Sequence, residues 1–221
     1  MIHPDTLKFI ADLIKNNNRE WFQANKERYD KAHENVTDFA GKLITELSKA
    51  DAGVSADTEA KKCVMRIYRD VRFSKDKTPY KTNLAIGRLT QNKSVEIGYY
   101  LQIEPGDKSF IAGGYWMPQG EHIKSIRQEI DYNATDLVSI VDTPDFKKTF
   151  GEFRDQEKLK TLPKGYDPDH ENIELLKLKS FIAYRNLKDK ELSGSNAVKL
   201  VAELCAKIHP LNVFLNNAIN I

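Results

Sequence analysis

Apolar positions along the chain change their period twice, dividing it into helical, extended and again helical regions. Leu7, Ile10, Ala11 and Ile14 recur at helical spacing behind Pro4, which a first helical turn tolerates, and the triplet Asn16 to Asn18 ends that helix in a turn. From Arg19 the stripe resumes with Trp21, Phe22, Tyr29, Ala32, Val36, Phe39, Ala40, Leu43 and Leu47. It predicts one amphipathic helix of about 30 residues, ended near Gly53. The middle third alternates instead. Cys63 to Tyr68, Leu84 to Leu89, Val95 to Ile103 and Phe110 to Trp116 read as strands. Pro105-Gly106 predicts a tight turn and hence an antiparallel hairpin, and Gly113-Gly114 a bulge or a close backbone approach.

After Met117-Pro118 the helical period returns in three short helices: Ile123 to Ile130, a second behind a cap at Asn133, and a third opened by Thr143-Pro144. A turn-rich stretch, Leu162 to His170, leads to a helix near Leu175 and a strand over residues 179–187. A last stripe runs from Val198 to Ile208 behind a cap at Ser193 or Ser195, and Pro210 is expected to open a short terminal helix through Phe214. Helices at both ends with strands grouped between them predict an α+β fold: a largely antiparallel sheet from the middle of the chain, packed against N- and C-terminal helices. With no linker rich in Pro, Gly or Ser, residues 1–221 read as a single domain.

Composition agrees with a packed domain, since 221 residues with 40% hydrophobic and 30% charged side chains suffice for one large core. The longest apolar run, Phe181 to Tyr184, is far below the roughly 20 residues needed to span a bilayer. The opening Met-Ile-His-Pro-Asp lacks the basic and apolar regions of a secretory leader, so the expected location is the cytoplasm and no membrane partner is expected. Cys63 and Cys205 sit among apolar neighbours and read as buried thiols. No metal-ligand spacing joins the five histidines, and neither a phosphate loop nor a dinucleotide fingerprint is present, so no metal and no cofactor are expected. Trp21, Phe22 and Trp116 are expected to pack in the core.

Charge changes the picture more than composition does. The whole chain carries only +2, unlike a nonspecific nucleic-acid binder, yet residues 61–81 hold eight bases against two acids. That segment is +6 and the remainder −4. Arg66, Arg69 and Arg72 repel one another, and Asp70 can neutralise one of them; either acids elsewhere in the fold or an anionic ligand must complete the set. As a strand, the segment would alternate Arg66, Tyr68, Asp70 and Arg72 against Arg69, Val71 and Phe73. Thr78-Pro79 then fixes an extended loop whose Lys75, Lys77, Tyr80 and Lys81 could close over the same place. Ser74-x-x-Lys77 has the spacing of a Ser-Lys nucleophile pair but lies in a loop rather than at a helix start.

The pattern Arg66-x-x-Arg69-Asp70-x-Arg72-Phe73 followed by Lys77-x-x-Tyr80 resembles the signature of a widespread bacterial family, domain of unknown function 2461. Asn16-Asn17-x-Arg19-x-Trp21-Phe22, Gly113-Gly114-x-Trp116-Met117-Pro118, Leu162-Pro163-Lys164-Gly165-Tyr166 and Leu176-x-Leu178-Lys179-Ser180-Phe181 are similar to it as well. The resemblance implies one compact domain and supplies no reaction, substrate or cofactor. From the residues themselves, the leading expectation is binding of an anionic, phosphate-bearing small molecule or nucleic acid through Arg66, Arg69, Asp70, Arg72, Lys77 and Tyr80. The alternatives are an enzyme on phosphate esters or nucleic acid, with Tyr80 or Asp70 as nucleophile or acid-base group, and a module that docks an acidic partner.

Overall fold

Three helices open the chain in the computed structural model, which describes residues 1–87, 89, 97–153 and 156–220. They are α1 (Pro4–Lys15), α2 (Arg19–Ala24) and α3 (Lys26–Ala50). The predicted 30-residue helix is broken at Asn25, whose backbone leaves the helical region at φ −111° and ψ 19°. Its side-chain amide donates to the Trp21 carbonyl at 2.9 Å, a local bond that competes with helix continuation. Beyond the break Ala32, Val36, Phe39, Ala40, Leu43 and Leu47 are buried on one stripe of α3. The helix packs against α1, the short α4 (Ala60–Cys63) and strand β1 (Leu84–Ile86).

The central strands are β1, β2 (Ile97–Ile103), β3 (Ser109–Tyr115) and β4 (Phe181–Leu187), in the order β1-β2-β3-β4. The sheet is antiparallel and the fold is α+β. In β1 and β2 Leu84 faces Ile103 and Ile86 faces Leu101. Alternation in β2 is complete, with Ile97, Tyr99, Leu101 and Ile103 buried and the residues between them half-buried. Val95, expected to begin this strand, lies outside the described residues. The turn after β2 places Gly106 at φ 83° and Asp107 at φ 59°, where glycine has no steric cost and aspartate a small one.

By its contacts the chain falls into two compact units, Met1–Gln91 with Tyr99–Ile111 and Asn186–Cys205, and Asn92–Gly98 with Ala112–Arg185 and Ala206–Ile221. In the first, α8 (Asp189–Leu192) presents the Asp189 carboxylate to the turn amides of Gly106 and Asp107 at 2.8 and 3.1 Å. Asp107 returns the bond by accepting the Asp189 amide at 2.7 Å. In the second, Gly114 has φ +117°, and a Cβ there would stand 2.0 Å from the Phe181 carbonyl oxygen. Only glycine fits, which is the close approach expected of that pair.

Several expectations are corrected. Residues 63–68 form no strand; they are an extended run held by isolated bridges from Val64 to Ile86 and from Tyr68 to Tyr80, two separate partners that cannot build one ladder. The first two of the three short helices merge into α5 (Gly120–Val141), kinked at Asn133, where φ is −134° and ψ 39°. Helix α6 (Pro144–Phe150) starts as expected, with the Thr143 hydroxyl accepting the Phe146 amide at 3.2 Å. A short α7 (Ile173–Leu176) precedes β4. Pro210 lies inside α9 (Ala197–Ile219) rather than at the start of a new helix. Ile208, Leu211, Leu215 and Ala218 are fully buried at continuous helical spacing, and that burial outweighs one missing backbone bond. Trp116 is not core but 62% exposed: β3 ends one residue before it, and Met117 at φ 48° turns the chain away.

Candidate functional site

The basic segment rests on an aromatic floor in the first unit. Phe22 of α2 is fully buried, and the Tyr80 ring lies flat on it, with centroids 4.1 Å apart and planes within 15°. Tyr29 and Tyr68 complete the group at 5.0 and 6.2 Å from Phe22. The asparagine triplet arranges this floor. Asn16 donates to the Asp12 carbonyl and closes α1, while Asn18 accepts the Trp21 amide and opens α2. Asn17 between them reaches Tyr80, donating to its carbonyl at 2.9 Å and accepting its amide at 3.1 Å. The Arg69 amide donates to the Pro79 carbonyl at 3.0 Å and the Lys81 amide to the Ile67 carbonyl at 2.8 Å, so the two limbs of the segment run side by side.

Between those limbs the loop is braced internally. The Arg69 guanidinium donates to Asp76 at 2.5 Å, to the Thr78 carbonyl at 3.1 Å and to the Thr78 hydroxyl. Asp76 also accepts the Thr78 amide at 2.9 Å and the Thr78 hydroxyl at 3.0 Å. Lys77 donates to the Val71 carbonyl at 2.9 Å. Arg72 grips Asp70 in two-pronged fashion, Nε at 3.0 Å and Nη2 at 2.7 Å, while its amide donates to the same carboxylate at 3.2 Å. These bonds set the local titration. Arg72 holds the Asp70 carboxyl below the usual range, with a smaller pull from Arg66, and the pairing raises Arg72 in turn. Asp76 is lowered first by the Thr78 amide and then by Arg69. Burial raises the Tyr80 phenol, helped by Tyr68.

The six candidate residues therefore divide. Arg69 and Lys77 are engaged within the segment, and Tyr80, stacked on Phe22 and bonded to Asn17, is 2% exposed. Asp70 and Arg72 are engaged with each other but remain open, with side-chain exposures of 44% and 76%. Arg66 is exposed, and among the described residues no carboxylate lies within ion-pair distance of it. Lys81, half-buried, is in the same condition, and its ammonium is driven below the ordinary range by burial and then by Arg66. Two cations that repel each other and form no ion pair can take an anion by charge and by the planar guanidinium edge.

Sequence reasoning gave Lys81 only a supporting place and did not single out Tyr68, which is 48% exposed above the floor. The signal was present in the concentration of charge over residues 61–81. Ser74 and Lys77 lie in the loop, not on a helical turn. Cys63 and Cys205 are buried and not disulfide-bonded. Among the described residues no cluster of His, Cys, Asp or Glu could hold a metal ion, and no helix is long and apolar enough to cross a membrane.

In the second unit, several polar side chains are engaged with one another or with backbone. His170 bonds Asp131 at 2.9 Å and accepts the Asn172 amide at 3.0 Å, so both ring nitrogens are occupied. Tyr115 and His122 share a bond of 2.7 Å, and Arg127 donates Nε to the Leu176 carbonyl at 2.8 Å. No curated protein and no solved structure matches the chain. Nearly all of it, residues 5–214, matches the family model described as a conserved hypothetical protein (DUF2461), and the chain belongs to that family.

Proposed function

We propose that the protein binds a phosphate-bearing anion at Arg66 and Lys81, in the cytoplasm. The observation that carries this reading is that Arg66 and Lys81, which act on each other electrostatically, form no ion pair with a carboxylate among the described residues, Asp70 reaching Arg66 only at longer range. Like charges held together cost free energy that an arriving anion removes. A guanidinium edge and an ammonium together match the charge of a phosphate ester. Arg72 extends the site, because an exposed ion pair such as that with Asp70 contributes only about 0–1 kcal/mol, small enough for phosphate to displace the carboxylate. Arg69, Lys77 and Tyr80 act in this reading by holding the segment in place.

Binding is favoured over catalysis by the state of the two groups an enzyme would use. Burial raises the Tyr80 phenol and Arg72 depresses the Asp70 carboxyl, so neither is set to exchange a proton near neutral pH. Calorimetric titration with tripolyphosphate tests the proposal. Arg66→Ala should weaken binding about tenfold or more while melting temperature stays within about 2 °C, as expected for an exposed side chain. Equal affinity in the variant, or loss of stability with no anion bound by either protein, would reject it.

A further inference from the structure

Two aromatic side chains stand exposed inside the most cationic part of the chain. Phe73 is 96% exposed, the most open large apolar residue in the first unit, and Tyr68 is 48% exposed. Phe73 does not sit on a slack tip. Arg69, Asp76 and Thr78 brace its loop from one side, Lys77 and the Val71 carbonyl from within, and the Arg72 guanidinium lies 5.9 Å from the Phe73 ring centroid. Apart from that cation over its face, the ring is left in water, free to stack on a flat partner. Tyr68 is five residues earlier, its Cα no more than about 18 Å from that of Phe73. Arg66, Arg69, Arg72, Lys75, Lys77 and Lys81 flank the two rings in sequence, and of these Arg72 stands over Phe73.

We infer that the anion of the proposed function is a single strand of nucleic acid, with bases stacked on Phe73 and Tyr68 and phosphates on Arg66, Lys81 and Arg72. The inference rests on that anion-binding reading and narrows its ligand. Alternating rings and cations are what a flexible polyanion with flat, π-faced side groups requires, and such platforms engage from about four nucleotides upward through a local basic stretch, here the +6 of residues 61–81 within a chain of net +2. A compact sugar phosphate would leave Phe73 unused. An anionic lipid surface fits less well, because Ser74, Lys75 and Asp76 follow Phe73 and give the tip no apolar neighbours to insert.

Three probes separate the readings: a twelve-residue oligothymidylate, a polyphosphate of matched charge, and phosphatidylserine vesicles, each titrated against the full chain and its Phe73→Ala and Phe73→Trp variants. The wild type is expected to bind the oligonucleotide at least about tenfold more tightly than polyphosphate. Phe73→Ala should remove that preference without changing affinity for polyphosphate, and Phe73→Trp should restore it with quenching of the new indole on stacking. Polyphosphate bound as tightly as the oligonucleotide, or an unchanged oligonucleotide affinity in Phe73→Ala, would overturn the nucleic-acid inference and leave anion binding standing. So would Phe73-dependent capture of vesicles without oligonucleotide binding. Failure of all three probes would overturn the anion-binding reading itself.

Discussion

Residues 61–81 and residues 157–179 are both rich in lysine or arginine, both border short extended segments, and belong to different compact units. The first carries eight bases against two acids, the second five against five. In the second stretch Lys158 and Lys177 share Glu174, and Lys179 bonds Glu157. Glu174 is held below the usual carboxylate range chiefly by Lys158, the signature of a charge already spoken for. In the first stretch Arg69 and Arg72 find acids, whereas Arg66 and Lys81 form no ion pair among the described residues and repel each other. Basic residues become a candidate site where the local acids run out, and a count of lysines alone does not locate that point.

The largest expected effect breaks the contrast by removing what lies beneath the first stretch. Phe22→Ala takes away the ring on which Tyr80 is stacked and should cost about 3–5 kcal/mol in chemical denaturation. A variant that unfolds with an unchanged midpoint would show that the floor is not structural.

Acid provides a second, smaller break. Asp70 and Asp76 both have depressed folded pKa values, so their contribution is complete above the unfolded value of about 4 and is lost as pH falls through the lower folded values. The amides of Arg72 and Thr78, which donate to these carboxylates, should lose their folded-state chemical shifts below about pH 4 when followed by NMR. Retention of those shifts down to pH 2 or so would show that the loop is braced by something else.

The smallest effect sharpens the comparison directly. Asp70→Asn releases Arg72 from its carboxylate and should raise tripolyphosphate affinity a few-fold, while Glu174→Gln in the second stretch should leave it unchanged and alter stability by no more than about 1 kcal/mol. A fall in affinity for Asp70→Asn would mean that the carboxylate orients Arg72 toward the anion and does not compete with it.

What could be read from the sequence was whatever depends on period and on local chemistry. Pro4, Thr143 and the stripe through Val36, Leu43 and Leu47 mark their helices, and the Gly113-Gly114 pair marks the close approach to β4, because each of these constraints is written within a few residues. The break at Asn25 was hidden because apolar spacing continues on both sides of it. Residues 63–68 alternate as a strand does, and only the separate bridges to Ile86 and Tyr80 deny them a ladder. At the site, clustering of charge was legible and its settlement was not. That Arg69 belongs to Asp76 and Arg72 to Asp70, leaving Arg66 over, depends on how the loop folds back. The stack of Tyr80 on Phe22 joins positions whose relation no local pattern records.

The Asn17 carboxamide does the work of a neighbouring strand at a single residue, supplying both rungs that the Tyr80 peptide would otherwise lack. The placement of Lys81 is therefore inherited from a turn 63 residues upstream of Tyr80. Drift in the N-terminal asparagines would loosen the seat of the proposed anion site even with every arginine of the basic segment intact.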